Sequence, residues 1–124
     1  MVQAMTISLS LPCEARFVSL LRLEVSWLCA QSDWPVDATD DLLLVVSEIA
    51  GLCLAAADDP SATLHAEVEA TEESVRVALR VPATSEPIES DPLVTTIIEA
   101  LSDEHDASRE DGEFQAWVRK IRPA

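Results

Sequence analysis

The residue best placed to do chemistry is Glu48, in the run DDLLLVVSEIAGLCLAAA from Asp40 to Ala57. Helix formers dominate this run, no proline interrupts it, and apolar residues cover nearly its whole circumference, which predicts a central helix buried on most sides. The exceptions are Asp40 and Asp41 at its start, then Ser47, Glu48 and Gly51. Asp41 stands seven positions before Glu48 and Gly51 three after it, so these three share one narrow stripe. A lone carboxylate on such a helix invites a functional reading. The plainer alternative is that the stripe faces water or a neighbouring backbone and does no chemistry.

Other reactive groups are sparse. Cys13, Cys29 and Cys53 make an odd count without close spacing, each among apolar neighbours, and read as buried thiols rather than a zinc or redox site. His65 alternates with acids on a strand pattern and His105 is alone in a polar segment, so no second histidine stands at ligand spacing. No metal and no cofactor is expected from these residues.

The element order follows from hydrophobic period. Thr6 to Leu11 alternates as a first strand and Pro12 ends it; helix one runs from Glu14 to about Ala30. The connector Ser32 to Pro35 leads to the central helix, with Asp37 or Thr39 as plausible caps, and Asp58, Asp59 and Pro60 stop it. Leu64, Ala66, Val68 and Ala70 alternate with His65, Glu67 and Glu69. Past a tight turn at Glu72 and Glu73, Val75, Val77, Leu79 and Val81 alternate with Arg76 and Arg80. A two-residue turn sets Glu69 opposite Arg76 in a hairpin with one buried and one wet face.

After the glycine-free loop PATSEPIESDP, Pro92 opens a third helix from Leu93 to Leu101. A short polar strand from His105 to Arg109, an Asp111-Gly112 turn and a strand from Phe114 to Ile121 close the chain. Trp117 falls in the more polar set of that strand, either under a helix edge or exposed as a binding anchor. Strand, helix, helix, hairpin, helix, hairpin predicts one α/β (α+β) domain over residues 1–124. It is a two-layer sandwich whose mixed, mostly antiparallel sheet is covered on one face by helices.

With 23 acidic and 8 basic residues the formal charge is -15. That disfavours nucleic acid and anionic membrane as partners, and polyphosphate unless a cation and a backbone nest intervene. A basic protein surface fits better. The start MVQAMTISLSL has neither the basic opening nor the apolar run of a signal peptide, and no window is long and apolar enough to span a bilayer, so a cytoplasmic location is expected.

Helix one carries more apolar surface than a single sheet can cover, from Phe17, Val18, Leu20, Leu21, Leu23, Val25, Trp27 and Leu28. With Phe17, Leu21 and Leu28 on the sheet, Val18, Val25 and Arg22 are expected on the opposite side as partner contacts, with Trp117 the next candidate.

The element order, with LLLVVSEIA in the central helix and the later DPLVTTIIEALSDEHDASREDGEFQAWVRKI, resembles the bacterial anti-sigma factor and serine-protein kinase family of the histidine-kinase-like ATPase fold. The likeness runs from about Ile7 to Ile121. In active relatives a glutamate of this helix serves as base or orients water, and an asparagine four residues on holds Mg²⁺ against the phosphates. Here the glutamate position falls on Glu48 and the asparagine position on Leu52, which cannot ligate a metal.

The family's Asp-x-Gly-x-Gly box, which receives adenine, is replaced by VPATSEPIES, and its phosphate-cradling glycine-rich box by ESDPLVTTII. Proline removes a donor and glycine's φ > 0 is absent, so both changes oppose nucleotide binding. The resemblance therefore implies a kept fold with a dismantled nucleotide site and Glu48 as its only relic. It implies a regulatory domain that binds a sigma factor or an anti-sigma antagonist. The alternatives are a working ATP-dependent serine kinase and a homodimeric structural module.

Overall fold

The computed structural model describes residues 4–84 and 91–123. In chain order they form β1 (Met5–Pro12), a 3-10 turn (Ala15–Phe17), α1 (Val18–Gln31), α2 (Val36–Ala56), β2 (Thr63–Ala70), β3 (Ser74–Pro82), α3 (Pro92–Leu101), β4 (Glu104–Glu110) and β5 (Glu113–Ile121). The ends depart from the expected ones by a few residues. At the start of α2 the expected cap is displaced: Pro35, extended at φ -57° and ψ 142°, precedes the helix and no side chain caps it. Asp37 sits in the first turn instead, where its charge meets the positive end of the helix dipole.

The strands form one sheet in the order β1-β2-β3-β5-β4, and all four pairings are antiparallel. The expected mixed sheet is thereby simplified. The connection through α3 skips one position, so β5 folds back between β3 and β4 and runs against both. In the β2–β3 hairpin the Thr71 N–H donates to the Ser74 carbonyl at 2.8 Å, and Glu69 faces Arg76 as the alternation predicts. The β4–β5 turn uses Asp111 at φ 51° and Gly112 at φ 76°, the two left-handed residues that a tight hairpin turn of matching twist requires.

One face of the sheet is dry. Val68, Val77, Leu79, Val81, Ala116 and Val118 are buried there against Leu42, Val45, Val46, Ile49 and Cys53 of α2. α2 packs over β3 and β5 and touches both α1 and α3, so the helices form a single layer. The two-layer α/β sandwich expected from the sequence is the observed architecture.

α1 departs from its expected orientation. Val25 is 0% exposed and joins Leu21, Leu28 and Cys29 in the core, while Val18 is half-buried against the same cluster. Val18 and Val25 are therefore not on the outer side, and Val25 cannot touch a partner directly. Seven residues make nearly two whole turns, and Leu21 is three residues from Val18, so Val18, Leu21, Val25 and Leu28 fall on one stripe. Arg22 is exposed as expected. The outward stripe is made by Leu20, Leu23 and Trp27, which are 48%, 67% and 52% exposed.

Replacing Val25 by Asp is expected to remove about 3 kcal/mol or more of stability, because the carboxylate enters a packed core. Leu23→Asp, on the outward stripe, is expected to leave the unfolding midpoint nearly unchanged. Thermal unfolding of the two variants checks the orientation of α1.

Candidate functional sites on α2 and α1

The resemblance in sequence would place nucleotide contacts on the outer stripe of α2, in the chain after β3 and at the start of α3. On α2, Ser47 Oγ donates to the Leu43 carbonyl at 2.9 Å, turning its hydroxyl back onto the helix. Glu48 is half-buried. Leu52 is also half-buried and packs against the core, so the residue one turn beyond the glutamate contributes hydrocarbon where a metal would need oxygen. Gly51 is exposed, and a methyl group built on it meets nothing within 4 Å, so no close backbone approach requires this glycine.

The chain leaving β3 is held by a clasp. Thr84 donates twice to Asp58, from its N–H to Oδ1 at 2.8 Å and from its hydroxyl to Oδ2 at 3.0 Å. The Asp58 N–H donates to the Pro82 carbonyl at 3.3 Å, and the Ala83 N–H to the Gly112 carbonyl at 2.8 Å. Arg109 Nη1 donates to the Ala83 carbonyl at 3.2 Å. The sequence reading missed this clasp, because Asp58 and Thr84 lie 26 positions apart with a hairpin between them. Residues 85–90, which fall within the segment replacing the adenine box, lie outside the described residues.

At the start of α3 the anion-binding position is filled by the protein itself. Asp91 accepts from the Leu93 N–H at 2.9 Å, and Pro92 has no N–H to offer. A helix N-terminus attracts phosphate through free N–H groups and its dipole. Here a carboxylate already occupies that field.

The three thiols are buried and free. Burial pushes Cys53 up to about 12, with Cys13 nearby adding to it. Burial likewise pushes Cys29 up to about 11, against a hydrogen bond from Thr39 that lowers it. Both stay protonated at neutral pH and are poor nucleophiles. Among the described residues no group of three or more His, Cys, Asp or Glu is arranged to hold a metal ion, and no helix is long and apolar enough to cross a membrane.

The outer face of α1 has a different character. Glu24 follows Leu20 by four residues and precedes Trp27 by three, so it shares their side of the helix. Its Oε1 is buried without a hydrogen-bond partner among the described residues, and burial raises its pKa above the ordinary 4.5. A carboxylate set among Leu20, Leu23 and Trp27 is therefore under-solvated and poised to take a cation. The spacing of these residues was legible in the sequence, but helix one is apolar on every side and gave no polar stripe by which to phase it. Trp117 lies on the uncovered face of the sheet, half-buried, with the Arg76 guanidinium 4.8 Å from its ring centre, and so is not under a helix edge.

No family model matches the sequence, and no curated protein matches it. The fold does match a solved structure, that of the RsbU and RsbW domains of Rv1364c from Mycobacterium tuberculosis. The TM-score is 0.72 at 17% identity, over 97% of this chain and 34% of that one, so this chain spans about a third of the structure it matches. At that identity the likeness is one of fold, and it agrees with the fold that the resemblance in sequence implies.

Two substitutions test these sites. Gly51→Ala is expected to stabilise the protein by about 1 kcal/mol, since an exposed mid-helix glycine costs backbone entropy and nothing blocks the added methyl. For Glu24 the sign follows from its raised pKa: its contribution to stability is fully present below the ordinary value of 4.5 and is lost as pH rises through the folded-state value. Glu24→Gln should therefore unfold at a higher temperature than the parent at neutral pH, with the difference vanishing below about pH 4.

Proposed function

We propose that this chain is a regulatory protein-binding domain, similar to an anti-sigma factor, that holds a basic helical segment of its partner against the outer face of α1. It does so without phosphoryl transfer. The observation that carries this reading is the exposed stripe Leu20, Leu23 and Trp27 with the under-solvated Glu24 beside it. Apolar side chains of a docking helix would cover the stripe, and a lysine or arginine of that helix would neutralise Glu24 as it leaves water. The net charge of -15 adds long-range attraction for such a segment.

The fold-level likeness to a structure that includes an RsbW domain supports this reading at the level of architecture. Among partners, a sigma factor fits the chemistry, since its DNA-contacting helices are basic. Phosphoryl transfer is disfavoured because it needs cations and backbone donors around the phosphates. In this chain Leu52 falls where the resemblance would put the metal ligand, and Asp91 caps α3.

Sigma factors from the source cell, tested one at a time against the purified chain, provide the experiment. One of them is expected to bind, and Leu23→Asp should weaken that complex at least tenfold, about 1.4 kcal/mol, while leaving the domain folded. Raising salt from about 0.05 to 0.5 M should slow association far more than it speeds dissociation. Binding by an anti-sigma antagonist alone would move the proposal to that partner. Unchanged affinity in Leu23→Asp would remove α1 as the contact.

A further inference from the structure

The open face of the sheet holds a pit with both signs of charge at its rim. We propose that this pit binds a free α-amino acid with an apolar side chain, taken as the dipolar ion that exists at neutral pH. The β3–β5 register sets Ala78 opposite Trp117, so a small residue makes the floor and the indole a wall. The β2–β3 register sets Glu67 on the other side of Ala78, and Arg76 and Arg80 stand two residues away along β3 in either direction. All five border the depression, which measures about 210 Å³. That is below the about 300–1,000 Å³ of drug-sized sites and suits a single amino acid.

Two of the charges at the rim lack an ionic partner. Among the described residues of this face, Arg80 pairs with Glu113 at 3.3 Å and Arg119 with Glu104 at 2.8 Å, whereas neither Arg76 nor Glu67 takes part in an ion pair. Arg76 stands opposite Glu69 and diagonal to Glu67, yet its guanidinium lies over the Trp117 ring, 4.8 Å from the centre. Stacked there, it is held away from both acids and keeps its in-plane N–H donors for a carboxylate. Diagonal neighbours across a sheet are about 7–8 Å apart, so a ligand's ammonium and carboxylate can sit between Glu67 and Arg76 and satisfy both. Its side chain then leaves water over Ala78 and beside the indole. On the β1 side, Ser10 Oγ and His65 Nδ1 already share a hydrogen bond at 3.3 Å and close the pit. Net charge selects the same class of ligand. Acids outnumber arginines on this face, Glu67, Glu69, Glu104, Asp106, Glu110 and Glu113 against Arg76, Arg80 and Arg119, so an anion is repelled here as well as by the chain's net -15. A simple cation is drawn to those acids but is repelled within the pit by Arg76 and Arg80. A dipolar ion has no net charge for the overall field to act on, and the two unpaired local charges orient it.

The test is an NMR titration of the purified 124-residue chain with L-phenylalanine and with L-leucine. A Trp117→Phe variant identifies the indole N–H signal of Trp117 among the three tryptophans. That signal and the amides of residues 66–68 and 77–79 are expected to shift saturably, with a dissociation constant of about 1 mM for so small a ligand in an open pit. Hydrocinnamate, which lacks the ammonium, and phenethylamine, which lacks the carboxylate, should each bind at least tenfold more weakly than L-phenylalanine. Glu67→Gln and Arg76→Gln should each weaken L-phenylalanine at least tenfold with the unfolding midpoint nearly unchanged, since both positions lie on the solvent side of the sheet. Leu23→Asp on α1 should leave amino-acid binding as it is, which separates this site from the docking face proposed above. No saturable shift of the Trp117 signal by about 20 mM of either amino acid overturns the proposal. Equal binding of hydrocinnamate or phenethylamine also overturns it, because the pit would then read one charge only, as does undiminished binding in either the Glu67 or the Arg76 variant.

Discussion

The structure depends on the burial of α2 across the centre of the sheet. Leu42, Val45, Val46, Ile49, Ala50 and Cys53 are all at most 2% exposed, and they meet the dry faces of β3 and β5. At roughly 1.5–3 kcal/mol for each large side chain taken out of water, this one helix supplies much of the apolar driving force of a small domain. With α1 and α3 on its flanks, only a narrow strip is left facing outward. That strip holds Asp41, Leu44, Ser47, Glu48 and Gly51. Any chemistry on this helix has to be done within it, and the position one turn past Glu48 is given to hydrocarbon.

The same economy governs the ends of the neighbouring elements. In an acidic chain, a vacant cluster of N–H donors would be a natural place for a phosphate. Here the chain's own carboxylates take those places: Asp58 engages the backbone and hydroxyl of Thr84, and Asp91 caps α3. Each is a short, charge-assisted contact that fixes a loop. Asp58 ties the chain leaving β3 to the end of α2, and Asp91 caps α3 locally. The apolar and aromatic surface open to a partner includes Leu20, Leu23 and Trp27 on α1 and Trp117 on the open side of the sheet.

Much of this was legible in the sequence because two periods are written cleanly. The alternation from Leu64 to Val81 fixed the hairpin to the residue, including Glu69 against Arg76, and the Asp111-Gly112 pair marked the last turn. The apolar run of α2 announced a buried helix. The facing of α1 was harder, because a helix with apolar residues all round has no polar side to set its phase, and only the tertiary neighbours decide. Even so, the seven-residue spacing that puts Val18 and Val25 on the stripe of Leu21 and Leu28 could have been counted. The environment of Trp117 could not, since which side of β5 lies open depends on β5 inserting between β3 and β4. The clasp at Asp58 joins residues far apart in the chain and left no local trace.

In the function proposed, recognition lies on the outer face of α1 and not on the α2–α3 side of the fold. Amide hydrogen exchange of the chain, alone, with Mg²⁺-ATP and with its purified protein partner, tests it most directly. Slowed exchange over residues 18–31 is expected when the protein partner is bound, and no change anywhere with nucleotide. Slowed exchange in α2 beyond Glu48 and in the first turns of α3 on adding Mg²⁺-ATP, with α1 unaffected by the partner, would contradict it.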